Sequence, residues 1–206
     1  MIVVDIETSG LDSNKHGIWQ IGAIDLDNPS NTFLQESRID DEDQVDPNAL
    51  LITGKTEAEI RDKSKQSQKE LLINFFKWAW DIKIKNLLCQ GPQFDMSFLE
   101  VKSRKYGLNW IFHHRAFDLH SIAAVKYFKV NGEFLVSGGY SDMRLANILV
   151  FVGMKDDRGY HNALQDAKLT AEAFSRIVYG KSLFEEYKKF PIPEYLHGDE
   201  KDDYVQ

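Results

Sequence analysis

Apolar positions along the chain change their spacing several times, and each change marks an element. The run Ile2-Val3-Val4 reads as a buried strand over residues 1–5 whose end carries two acids. A second strand is read over 17–26 (GIWQIGAIDL), and a third over 31–39 (NTFLQESRI), where apolar and polar residues roughly alternate. The short connections Ser9-Gly10 and Asp27-Asn28-Pro29 suit antiparallel neighbours. The spacing then turns helical. An Asp-Pro start and a Gly stop bound a short helix over 46–54, and Leu72, Phe75, Phe76 and Ala79 stripe one face of a helix over 68–82.

A buried fourth strand is read over 86–90, a helix over 94–107 that stops at Gly107, and a brief strand near 110–112. Helices follow over 118–128, with Asp118 as N-cap, and over 142–152. The last helix, over 163–178, repeats Leu164, Ala167, Ala171, Phe174 and Val178 at spacings of three and four. Phe94 and Phe98 share a helix face and are read as core. Trp78 and Trp80 fall on opposite sides of their helix, so at least one should be partly exposed. Strands first, then strand–helix alternation, predict an α/β domain with a mixed central sheet of about five strands, the first three antiparallel, flanked by helices. Composition shifts after Gly180. We therefore expect a domain over 1–180 and a C-terminal extension over 181–206 that packs on the surface and frays at its acidic end.

Composition narrows the picture only modestly. With 206 residues, 43% hydrophobic and 28% charged, the chain is long enough for one domain with a sizeable core. No apolar segment approaches the length of a membrane span, so no membrane association is expected. One cysteine, Cys89, excludes an internal disulfide and a cysteine-rich zinc site, which fits a cytoplasmic location. The net charge of −7 argues against a protein that coats nucleic acid, but not against an enzyme that grips a short piece through bound cations.

The acids carry the chemistry. Asp5 and Glu7, two residues apart on a strand, point to one face, where a pair of carboxylates is costly unless a cation lies between them. Oxygen donors in that pattern suit Mg²⁺ or Mn²⁺. The plain alternative is an acidic strand end dissolving into the turn that follows. Asp95 opens a helix after Gly91-Pro92, and Asp166 lies in the first turn of the last helix. There the partial positive charge of the helix N-terminus favours an ionised carboxylate, with stability alone as the competing explanation. On one continuous helix His161 and Asp166 would stand about 140° apart. Asn162 is a good N-cap, however, with Gln165 three residues on as in a capping box, so His161 falls in the loop before the helix, free to reach the site that Asp166 faces. An imidazole suits proton abstraction from a cation-activated water.

Three motifs, VVDIETSGL (3–11), QFDMSFL (93–99) and HNALQDAKLTAEAF (161–174), together resemble those of the DEDDh exonucleases, a superfamily that includes polymerase proofreading subunits, oligoribonuclease and RNase T. The segments IWQIGAID, DPNALLITGKTEAE and AFDLHSIA are similar to intervening pieces of that family. The resemblance implies a ribonuclease H-like fold and a metal-dependent 3′→5′ exonuclease releasing nucleoside 5′-monophosphates from a short single-stranded or frayed nucleic-acid end. It implies that Asp5, Glu7, Asp95 and Asp166 hold two divalent ions, Mg²⁺ or Mn²⁺, that His161 is the base, and that Thr8, Gly10 and Leu11 meet the terminal nucleotide through backbone N–H groups and a Leu11 wedge. A homodimer remains open. The family often has an Asn shortly before the second-motif Asp, where this chain has Gly91 and Pro92, which bears on how that loop meets substrate. VKSRKYG (101–107) and VKYFK (125–129) mix basic and aromatic residues; they read as solvated helix faces or as guides for a strand. Two rivals stand beside this reading: a catalytically silent nucleic-acid-binding module on the same fold, and a phosphatase using Asp5 as nucleophile.

Overall fold

In the computed structural model, which describes residues 1–197, the first strand runs further than its apolar run suggests. β1 (Ile2–Thr8) carries Asp5 and Glu7 within the strand instead of at the end of a 1–5 segment. The extension follows from pairing: β2 (Ile18–Asp25) runs antiparallel to β1 along its whole length, with Asp5 opposite Gly22 and Glu7 opposite Gln20. β3 (Asn28–Glu36) pairs antiparallel with β2 and begins before the expected residue 31, because the turn is the two-residue Leu26-Asp27 link. Its Pro29 is tolerated on an edge strand. β4 (Leu87–Cys89) lies parallel to β1, and β5 (Phe117–Asp118) parallel to β4, giving the order β3-β2-β1-β4-β5. This is the mixed sheet of five strands that the sequence predicts, with the first three antiparallel. The fifth strand is not the segment 110–112. Phe112 instead stacks its ring on Phe75 and meets Phe76 edge-on, with centroids 5.4 and 5.2 Å apart, and so serves the core without entering the sheet.

Helices α1 (Pro47–Thr53), α2 (Glu57–Ile60) and α3 (Gln68–Trp80) start where side-chain acceptors meet orphan N–H groups, whereas α4 (Pro92–Lys105) starts without a side-chain cap. Asp46 caps α1, and Thr56–Glu59 and Ser67–Glu70 form reciprocal capping boxes on α2 and α3. α3 buries Leu71, Leu72, Phe75, Phe76 and Ala79 against the sheet. Each such large side chain contributes roughly 1.5–3 kcal/mol. Trp78 is partly buried and donates from Nε1 to Asn31, whereas Trp80 is 67% exposed, as their opposed positions require. α4 begins two residues earlier than expected, since Gly91 takes a left-handed φ of 84° and Pro92 fits the first turn. Phe98 is core; Phe94 is partly buried, packs against that core with its ring 5.0 Å from Phe98, and also lines a cavity.

The described residues divide into two compact units: Met1–Asp118 with Arg158–Thr170, and Leu119–Asp157 with the chain from Ala171 onward. The second contains α5 (Leu119–Asn131), a hairpin of β6 (Val136–Ser137) and β7 (Tyr140–Ser141), and α6 (Leu145–Phe151). The hairpin was not among the expected elements; it turns on Gly138 and Gly139, both at positive φ. Asp118 ends β5 and accepts from Gly91 N–H at 3.1 Å. α7 (Ala163–Tyr179) is the last α-helix among the described residues, and two 3-10 turns, Glu185–Tyr187 and Glu194–Leu196, follow it. The end expected to fray, 198–206, lies outside the described residues. Among the described residues no helix is long and apolar enough to cross a membrane.

Candidate active site

Three stretches of the first unit deliver the acids, and each does so for a local reason. β1 alternates its side chains, so Asp5 and Glu7 emerge on one face. β4 ends at Cys89 beside it, and the Gly91-Pro92 corner turns the chain into α4 with Asp95 in the first turn. Because β1 and β4 are parallel, both sets of acids lie toward the carboxyl ends of adjacent strands, where open α/β sheets bind ligands. The third stretch depends on a glycine. A Cβ at Gly22 would lie 2.1 Å from the Leu164 nitrogen and 2.2 Å from the Ala163 carbonyl carbon, so only glycine lets α7 approach β2 this closely. Gln20 Oε1 then accepts from Ala163 N–H at 2.8 Å, and Asn162 Oδ1 from Gln165 N–H at 3.2 Å. Since Gly22 faces Asp5 in the strand register, that approach sets Asp166 beside Asp5.

The resulting cluster is buried and electrostatically strained. Glu7, Asp95 and Asp166 are almost fully enclosed, while Asp5 keeps an edge open to solvent. Burial pushes the Asp5 carboxyl well above its ordinary range, and the charges of Asp95, Glu7 and Asp166 push it further, with Arg158 opposing. Glu7 is raised to about 7, first by burial and then by Asp166. Asp95 is also raised to about 7 by burial, against hydrogen bonds from the Ile6 backbone and the Cys89 thiol that favour its ionised form. Like charges gathered in a poorly solvated place are unfavourable without a cation.

His161 precedes α7 in the loop, as the capping pattern requires. Its Nδ1 lies 3.1 Å from Asp166 Oδ2, and that hydrogen bond raises the imidazole above its usual value. Its own N–H donates to the Ile52 carbonyl at the end of α1, which holds the histidine in place. The other Asp166 oxygen accepts from Arg158 Nη1 at 3.0 Å, a partner the sequence reading missed. Ligand atoms of Glu7, His161 and Asp166 all lie within 4.8 Å of one another, and Glu7 Oε1 is buried with no hydrogen-bond partner. Hard carboxylate donors around an orphaned oxygen are the chemistry that fits a divalent cation. This group can hold a metal.

Beside the acids lies a cavity of about 180 Å³, lined by Glu7, Thr8, Leu11, Asn48, Ile52 and Phe94 among others. Leu11 is 78% exposed at its rim. Thr8 turns its hydroxyl to the Gly10 carbonyl at 2.7 Å. Gly10 is not a wall of this cavity; it packs beneath His16, whose ring a Cβ would meet at 2.2 Å. The Ser9 N–H in the same turn is engaged by the Gly17 carbonyl at 2.9 Å, so it is not directed to a ligand. The α1 wall went unread because its residues reach the site only through tertiary packing.

The exonuclease family profile named for RNase T matches residues 2–174. The chain belongs to that exonuclease family. The motif resemblance had likewise implied an exonuclease. The PolC-type DNA polymerase III of Caldanaerobacter subterraneus subsp. tengcongensis is 25% identical over 180 residues, covering 86% of this chain and 11% of that protein. Its counterpart from Thermotoga maritima is 28% identical over 183 residues, covering 86% and 12%. The chain thus spans about a ninth of the curated relatives it matches. Among solved structures, the nuclease domain of 3′hExo, a DEDDh family member bound to rAMP, superposes with a TM-score of 0.66 at 19% identity, covering 94% of this chain and 95% of that one. Escherichia coli exonuclease I in complex with a dT13 oligonucleotide gives 0.68 at 19%, covering 85% and 40%. At that identity the likeness establishes the fold.

Proposed function

We propose that this chain is a metal-dependent 3′→5′ exonuclease that removes nucleoside 5′-monophosphates from single-stranded or frayed nucleic-acid ends in the cytoplasm. In this reading residues 1–180 form the exonuclease domain and 181–206 an extension. Asp5, Glu7, Asp95 and Asp166 hold two divalent ions, Mg²⁺ or Mn²⁺. Bound there, the ions supply activation of the attacking water and neutralisation of charge on the phosphate. His161 takes the proton of that water; its imidazole is 42% exposed by side chain and is placed by the Ile52 bond, so it can reach solvent and site together. Thr8 and Leu11 position the terminal nucleotide, with Gly10 shaping their turn beneath His16 and with Phe94 and the α1 wall enclosing the base and sugar. The nucleotide rAMP and the oligonucleotide dT13, bound by two proteins of similar fold, support this class of substrate.

The observation that carries the reading is the gathering of four carboxylates from three separate stretches around an unpartnered Glu7 oxygen. A fold-stabilising role leaves that arrangement unexplained, since all four acids oppose one another. The test is digestion of a 5′-labelled single strand with Mn²⁺. A ladder shortening one nucleotide at a time from the 3′ end is expected, and matched DNA and RNA strands rank the two substrates. An intact strand would favour the silent module, and faster hydrolysis of a small aryl phosphate the phosphatase.

A further inference from the structure

Arg158 hydrogen-bonds to this cluster, as does His161 when protonated. Its side chain is 9% exposed, and Asp166 is 3% exposed. A guanidinium stays charged at any working pH, so this pairing, unlike that of His161, does not fade as pH rises. With Arg158 on Oδ1 and His161 on Oδ2, both oxygens of Asp166 are engaged. The segment bearing the arginine is anchored nearby: His161 N–H bonds to the Ile52 carbonyl, and Tyr160 lies over Gly54, where a Cβ would come within 2.6 Å of its ring. The guanidinium also acts on Asp5 and Glu7, favouring their ionised forms.

We propose that Arg158 is the resident counter-ion of the metal-free site, holding Asp166 until a divalent cation displaces it, and so sets the cation concentration at which the site fills. This rests on the reading of the four acids as a metal site. Without metal, Arg158 offsets part of the carboxylate repulsion and keeps α7 seated beside β1. When a cation arrives, a fixed positive charge a few ångströms away opposes it, and the Asp166 bond must be given up. Arg158 is thus a positioning residue whose net effect on metal affinity is negative, the reverse of a residue that orients a ligand.

The test is calorimetric titration of Mn²⁺ into the EDTA-stripped full chain, with melting temperatures taken before and after. Arg158→Met should bind Mn²⁺ about tenfold more tightly, the scale of removing a unit charge near a divalent ion. Its metal-free melting temperature should fall. Arg158→Gln, which keeps an amide donor for Asp166 without the charge, should tighten binding too and serves if the methionine variant does not fold. Arg158→Lys should stay near the wild-type affinity. Unchanged or weaker binding in both neutral variants overturns the proposal, as does equal tightening by lysine, because charge would then not be the cause. A wild-type chain that takes up no Mn²⁺ at all would instead sink the metal site itself, so the two failures are told apart.

Discussion

Asp166 and Glu172 lie on the same helix, both buried, and their surroundings are built on opposite principles. Glu172 meets Arg176 Nε at 2.6 Å, the Ser182 hydroxyl at 2.8 Å, and the N–H groups of Leu183 and Phe184 at 2.8 and 3.0 Å. Arg176 in turn donates to the carbonyls of Val152, Tyr187 and Phe190. Every charge there has its partner within the chain. Asp166 has one arginine and one histidine, and shares its neighbourhood with three further acids, one of which leaves an oxygen unpartnered. The difference teaches how a structural acid site departs from the proposed functional one: around Glu172 each charge is matched, while around Asp166 the acids outnumber their cationic partners and Glu7 keeps an unpartnered oxygen.

The largest effect should come from the unsatisfied cluster. Asp5→Asn should lower turnover by about 10³-fold or more, the scale of losing several kcal/mol of cation-assisted stabilisation. It should also raise the metal-free melting temperature, because a repelled carboxylate is removed. An unchanged rate, or a fall in metal-free stability, would break the comparison. Glu172→Ala should do the reverse, costing about 3–5 kcal/mol of stability by stranding the buried Arg176, as read from denaturant unfolding. His161→Ala should slow the reaction by about 10²-fold with little change in unfolding.

The smallest effect concerns pH. Glu7 and Asp95 are raised to about 7 in the metal-free fold, above ordinary carboxylate values, so the folded state binds their protons more tightly than the unfolded chain does. Their contribution to stability is complete below the unfolded values and is lost as pH rises toward 7. The metal-free melting temperature should therefore drop by several degrees between pH 5 and 8, while the shift produced by Mn²⁺ grows over the same interval as binding releases protons. A Mn²⁺ shift independent of pH would contradict this.

Much of this site could be read before the fold was known, for identifiable reasons. Asp5 and Glu7 were legible because a strand's two-residue period is local, and His161 was placed by the Asn162 cap rather than by distance. What escaped was tertiary. Nothing near Gly22 announces that α7 will press against it, and Arg158 acquires meaning only once Asp166 is beside it. The segment 110–112 looked like a strand because Trp110, Ile111 and Phe112 are apolar in a row, but packing on the aromatic face of α3 supplied their burial instead. Helical spacing places Phe94 on the core face with Phe98, and their rings do meet there, 5.0 Å apart. The spacing was right, yet the helix start lies at the sheet's end, where that face opens into a cavity.

The central claim is that the acid cluster is incomplete as it stands and is made whole by cations. Anomalous diffraction from crystals soaked in Mn²⁺ tests it most directly. Two peaks bounded by the carboxylates of residues 5, 7, 95 and 166 are predicted; a well-ordered site with no peak among them would contradict the account.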